Sequence, residues 1–120
     1  MKISESELVL LQALWKEKPL TVGQIIERVQ VNESWHDNTI KTLLTRLLDK
    51  EAVTREKDGK RFFYRPLIAR DEFITMESES LLSKFFGGEM SPLIAHFADQ
   101  KKLSKKEVAE IEAILRKLKR

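Results

Sequence analysis

WHDNTIKTLLTRLLDKEAVTREKDGKRFFY, from Trp35 to Tyr64, decides the fold of this 120-residue chain. Between Asp37 and Lys50 the apolar residues are Ile40, Leu43, Leu44, Leu47 and Leu48. That i, i+3, i+4, i+7, i+8 spacing marks one face of an amphipathic helix. Asn38, Lys41, Thr42, Thr45, Arg46 and Asp49 fall on the opposite face. An amide, short hydroxyls and two cations on one helix face suit the base edges and phosphates of a DNA major groove. Two β-prone runs follow, 52–57 and 61–65, around Asp58-Gly59-Lys60. Asp-Gly between such runs is a strong hairpin signal. A helix followed at once by a basic hairpin is the working end of a winged helix-turn-helix protein.

Working outward, the first helix starts at Ser4, which with Glu7 has the S-x-x-E capping spacing, and stops before Pro19. A second helix begins after Thr21, paired in the same way with Gln24, and buries Val22, Ile25, Ile26 and Val29. The third is the helix above, capped by His36 or Asp37. These three helices enclose a small core that one face of the Phe62–Tyr64 strand closes. Beyond Pro66 a fourth helix is predicted over 70–86, ending at Gly87-Gly88. Ser91-Pro92 reads as an N-cap with proline at the first helical position. Ser104 and Glu107 open a last helix carrying Val108, Ile111, Leu115 and Leu118. The expected fold is mainly α with a small β-hairpin. A winged helix-turn-helix occupies residues 1–68 and a helical dimerisation region residues 69–120.

The net charge of +3 is unevenly spread. It is −1 over residues 1–36, +3 over 37–66, −4 over 67–100 and +5 over 101–120. Positive charge on the helix–hairpin unit fits phosphate contact. At the C-terminal end it reads first as a solvated helix face. The chain has no cysteine, which excludes disulfides, cysteine zinc sites and thiol nucleophiles. His36 and His96 share no metal-ligand spacing, and no Gly-rich phosphate loop or nucleophile elbow is present. Asp71/Glu72 and Glu77/Glu79 read as an exposed helix face. No enzyme, metal site or cofactor is therefore expected. The first residues, MKISESELVLLQALW, carry acids where a secretory signal would be basic, and the apolar run is too short to span a bilayer. A cytoplasmic protein without direct membrane binding is the expectation.

Thr39, Lys41, Thr42, Thr45 and Arg46 on the helix, with Lys57, Lys60 and Arg61 on the wing, are the candidate DNA-binding residues. Trp35 reads as a core anchor at the start of the third helix. The C-terminal helices carry Phe73, Ile74, Leu81, Leu82, Phe85, Phe86, Leu93, Ile94, Phe97, Ile111 and Leu115. Some fifty residues rarely hold a stable core alone, so these are expected to form a homodimer interface. A dimer places two recognition helices about one DNA turn apart and predicts a palindromic operator.

WHDNTIKTLLTRL resembles the recognition helix of the BlaI/MecI penicillinase-repressor family, whose pattern is W-x-x-x-T-I/V-x-T-L-x-x-R-L. Trp35, Thr39, Ile40, Thr42, Leu43, Arg46 and Leu47 match it. The likeness extends to SESELVLLQALW, the hairpin, FFGGEMSPLIAHF and KKLSKKEVAEIEAIL. It implies a dimeric repressor that occludes the promoters of β-lactam resistance genes and is relieved by proteolysis through a membrane sensor. Family members are cut between Asn and Phe in a segment similar to PLIAHFADQ, which puts the cleavage site at His96–Phe97, with histidine in place of asparagine. A copper-responsive branch uses C-terminal cysteine pairs, and this chain has none. The family's Ser-Pro after the tryptophan is His36-Asp37 here, and its glycine after the third helix is Glu51. Two other readings compete with the repressor. One is a small-molecule-responsive regulator with a ligand among Phe85, Phe86 and Phe97 at the dimer junction. The other is a winged-helix module whose basic wing serves an acidic protein partner.

Overall fold

The computed structural model describes residues 2–119, which form α1 (Glu5–Lys16), β1 (Leu20–Thr21), α2 (Val22–Val29), α3 (Asp37–Asp49), β2 (Val53–Asp58), β3 (Arg61–Pro66), α4 (Arg70–Phe85), α5 (Met90–Asp99) and α6 (Lys105–Leu118). The strands make one antiparallel sheet in the order β1-β3-β2. The chain divides into two compact units, residues 1–74 and 75–120.

The first unit is built as its caps direct. Ser4 and Thr21 each accept a hydrogen bond from the N–H three residues on, while the side-chain oxygens of Glu7 and Gln24 accept one from the cap backbone N–H. Both helix starts thus satisfy two otherwise free donors. Leu10, Leu11, Leu14, Ile25, Ile40 and Leu47 are fully enclosed, and Leu20, Val29, Leu43, Leu44, Ala52, Val53 and Tyr64 complete the core. Burying each large aliphatic side chain contributes about 1.5–3 kcal/mol, so this stripe outweighs the helices' intrinsic propensities.

The strand β1 has no counterpart in the sequence reading. Its two residues pair with Tyr64 and Phe63 and turn the hairpin into a three-stranded sheet. The hairpin is also tighter than predicted. Asp58 pairs with Arg61, which leaves only Gly59-Lys60 as the turn. Gly59 has φ +66°, a conformation that glycine adopts without penalty. The strand's apolar face divides: Tyr64 is buried, while Phe62 is 39% exposed beneath the Arg55 guanidinium, 4.3 Å from its ring centre.

The C-terminal end of α3 closes on Glu51 at φ +60°. The Glu51 N–H donates to Leu48 O, and that of Ala52 to Leu47 O. This is a Schellman closure with glutamate in the left-handed position that glycine usually fills, sealed by buried Ala52 and Leu47. At the start of α3 the cap is His36, which makes no side-chain capping bond. Asp37 does not cap either, because its carboxylate accepts a hydrogen bond from the Gln30 amide at 2.7 Å. The same amide donates to Trp35 O and so ties the end of α2 to the first turn of α3.

Where the chain leaves the sheet, Trp15 Nε1 donates to Ile68 O at 2.9 Å, and its ring lies 5.6 Å from that of Phe73. Phe73, expected at a dimer interface, is 6% exposed and buried within this first unit. In the second unit α5 begins at Met90 after an extended Glu89, so Ser91 is not its cap and Pro92 sits in the third helical position. Proline is tolerated there because N–H groups of the first turn have no intrahelical acceptor. Ser104 caps α6 as expected, accepting from the Glu107 N–H.

Candidate nucleic-acid interface

The outer face of α3 is open along its length. Thr39, Lys41, Thr42, Thr45 and Arg46 are all exposed, while Ile40, Leu43, Leu44 and Leu47 on the other side are buried. The division follows from the 3.6-residue period alone. Lys41 and Arg46 enter no ion pair among the described residues, so both cations are free to meet an anionic partner. Two of the three threonine hydroxyls are engaged within the helix: Thr42 donates to Asn38 O and Thr45 to Lys41 O.

The wing presents Lys57, Lys60 and Arg61, exposed at and beside its tip. It also presents Arg55, which sequence reasoning missed. Arg55 lies across the pair of strands from Tyr64. From there it covers Phe62, and only the strand register reveals that contact. Lys60, Arg61 and Phe62 share a shallow cleft with Thr21, Gly23 and Gln24, so the wing lies beside the first turn of α2.

The recognition helix is anchored from behind by Lys50, its C-cap. The ammonium of Lys50 bonds Glu7, which is 1% exposed, and also donates to Lys2 O. Burial disfavours the Glu7 carboxylate, but the Lys50 ammonium and the Ser4 N–H outweigh it and hold the carboxyl below its ordinary range.

The expected dimerisation residues fall into two groups. Phe73 and Leu82 are buried in the single chain, whereas Ile74, Leu81, Phe85, Ile94, Phe97 and Leu115 are exposed. Phe86, Leu93 and Ile111 are half-buried. His96 lies in α5 with its ring 5.5 Å from that of Phe97 and 6.1 Å from that of Phe86. No helix among the described residues is long and apolar enough to cross a membrane.

A trihelical core, a recognition helix with an open polar face and a three-stranded sheet ending in a basic hairpin define a winged helix-turn-helix DNA-binding protein. Comparison with known proteins narrows the class. The family described as penicillinase repressor matches residues 3–117, and this chain belongs to it, a family of transcriptional repressors rather than enzymes. It is 31% identical over 114 residues to the penicillinase repressor of Bacillus licheniformis, covering 95% of this chain and 89% of that protein. Against the methicillin resistance regulatory protein MecI of Staphylococcus aureus (strain N315) it is 32% identical over 116 residues, covering 97% and 94%. The solution structure of the monomeric form of Bacillus licheniformis BlaI in complex with the blaP half-operator matches 60% of this chain and 88% of that one. The TM-score is 0.54 at 30% identity.

Proposed function

We propose that this protein is a homodimeric, cytoplasmic repressor that occludes a palindromic operator at a promoter of β-lactam resistance genes. The observation that carries the reading is the open face of α3, where two cations without ion pairs among the described residues and three threonines stand on a helix whose other face is buried. Lys41, Thr42, Thr45 and Arg46 meet base edges, Thr39 meets backbone at the helix start, and Lys57, Lys60 and Arg61 bind phosphates along the flank. A relative solved on a half-operator supports the same placement.

Dimerisation draws on the second unit. Among its described apolar residues only Leu82 is buried, while Leu81, Phe85, Met90, Phe97, Ile114 and Leu118 are each more than 40% exposed. Three helices with so little interior need a cover, and a second copy supplies it with the same surface. Repression is lifted by cutting His96–Phe97. That bond lies inside α5, so the helix must unwind before a protease can take it. Cutting there separates α6 from the chain and weakens the dimer.

A footprint of the purified protein on DNA upstream of its own gene, at near-physiological salt, tests the reading. Protection of two half-sites about one helical turn apart is expected. Weak, sequence-indifferent protection that vanishes with added salt would overturn it.

A further inference from the structure

The hydroxyls of Thr42 and Thr45 are committed to the helix backbone and do not donate outward. Thr42 Oγ1 donates to Asn38 O at 2.9 Å, and Thr45 Oγ1 donates to Lys41 O at 3.0 Å. Each hydroxyl proton is therefore spent on the helix's own backbone four residues back. Threonine carries two heavy atoms on Cβ, so turning Oγ1 towards the helix leaves the Cγ2 methyl as the outward branch. Both residues are exposed, and both lie on the face opposite the buried stripe of Ile40, Leu43, Leu44 and Leu47. The outward group at each position is then a methyl, and the hydroxyl oxygen keeps only its capacity to accept.

In the major groove, thymine alone projects a methyl group, from C5. We propose that Thr42 and Thr45 read thymine by methyl–methyl contact rather than by hydrogen bonding to base edges. The inference rests on the placement of α3 in the major groove given above and specifies what two of its residues recognise. Residues three apart on a helix are separated by about 4.5 Å of rise, compared with about 3.4 Å between base pairs. The two methyls thus meet thymines on neighbouring steps of one half-site. Burying a methyl against a methyl leaves the intrahelical hydrogen bonds intact, whereas donation to a base would break them. Arg46, free of ion pairs among the described residues, flanks the pair and supplies the polar contact. Its fork matches guanine O6 and N7. The half-site this face prefers is therefore thymine-bearing and bordered by guanine.

The test uses the full-length protein and the duplex it enriches most strongly from a random double-stranded library. That half-site is expected to contain thymines on neighbouring steps. Replacing each by deoxyuridine, which removes only the C5 methyl, should weaken binding about four-fold, the worth of one buried methyl-sized group. Thr42→Ser and Thr45→Ser keep the hydroxyl and lose the methyl. Each should weaken binding to the thymine duplex by a similar factor and lose nothing further on the matching uracil duplex. Thr42→Val and Thr45→Val keep the methyl and should bind both duplexes as the parent does. The proposal is overturned if the valine variants weaken binding and the serine variants do not, or if thymine and uracil duplexes bind equally. An enriched half-site without thymine would also overturn it while leaving the operator reading standing. Enrichment of no duplex at all would overturn both.

Discussion

Glu7 and Lys50, 43 residues apart in the chain, join the first turn of α1 to the C-cap of α3 through a single ion pair. One partner is buried and the other is about one-third exposed. The recognition helix is thereby held at its far end by a group that no face-by-face reading of α3 contains. One carboxylate oxygen, Glu7 Oε2, is buried without a hydrogen-bond partner, so the charge depends on Lys50 and the Ser4 N–H.

Lys50→Met leaves that carboxylate buried with only the Ser4 N–H as partner, and should cost about 1–3 kcal/mol of stability in urea titration at pH 7. Glu7→Gln should cost less, because no charge is stranded. The pair also sets an acid response. Folding lowers the Glu7 pKa, so its stabilisation is complete above the ordinary value of 4.5 and drains as pH falls through the lowered folded value. In Glu7→Gln the acid limb of the stability profile should be shallower below pH 4.5.

Glu51 occupies a left-handed backbone position with a Cβ attached. Glu51→Gly should raise stability by roughly 0.5–1 kcal/mol, read as a higher Tm. Operator affinity should not change, since the substitution leaves the α3 face as it is.

Phosphate contacts and base contacts separate by salt. Lys60→Ala and Arg61→Ala should each lower the slope of log K against log salt by about 0.9 and weaken all duplexes alike. Arg46→Ala should instead cost about 1–3 kcal/mol on the preferred duplex and relax specificity there.

Phe62 lies at the partly exposed end of the strand's apolar face, where Arg55 stacks on the ring. Phe62→Ala should leave Tm within a few degrees of the parent, since the side chain is 39% exposed. Tyr64→Ala, at 6% exposure, should destabilise by about 3 kcal/mol or more, measured by thermal unfolding.

Phe85→Asp with Phe97→Asp places charge on the exposed apolar face of the second unit. Sedimentation should find a monomer. Affinity for a two-half-site duplex should fall about a hundred-fold or more, while affinity for a single half-site should change little.

What the sequence made legible was whatever repeats at a fixed spacing. The stripe from Ile40 to Leu48 defines α3, and the pairs Ser4/Glu7 and Thr21/Gln24 mark helix starts that the structure confirms. Pairings set by register stayed hidden. The strand β1 is two residues long and has no period, and Arg55 meets Phe62 only because Lys57 and Phe62 face each other across the hairpin. Local rules misled at Ser91-Pro92, where an extended Glu89 lets the helix start earlier. They also gave Phe73 to an interface, because hydrophobicity does not say whether the cover comes from Trp15 or from another chain. In the candidate DNA face the residue types were readable, but the orientation of the threonine hydroxyls was not.

The near-absence of an interior in residues 75–119, where Leu82 alone of the apolar side chains is buried, bears on how a cell can set the level of repression. If pairing completes that half of the molecule, halving the supply of subunits quarters the paired form at low abundance, so control by this protein responds to gene dosage as the square rather than in proportion.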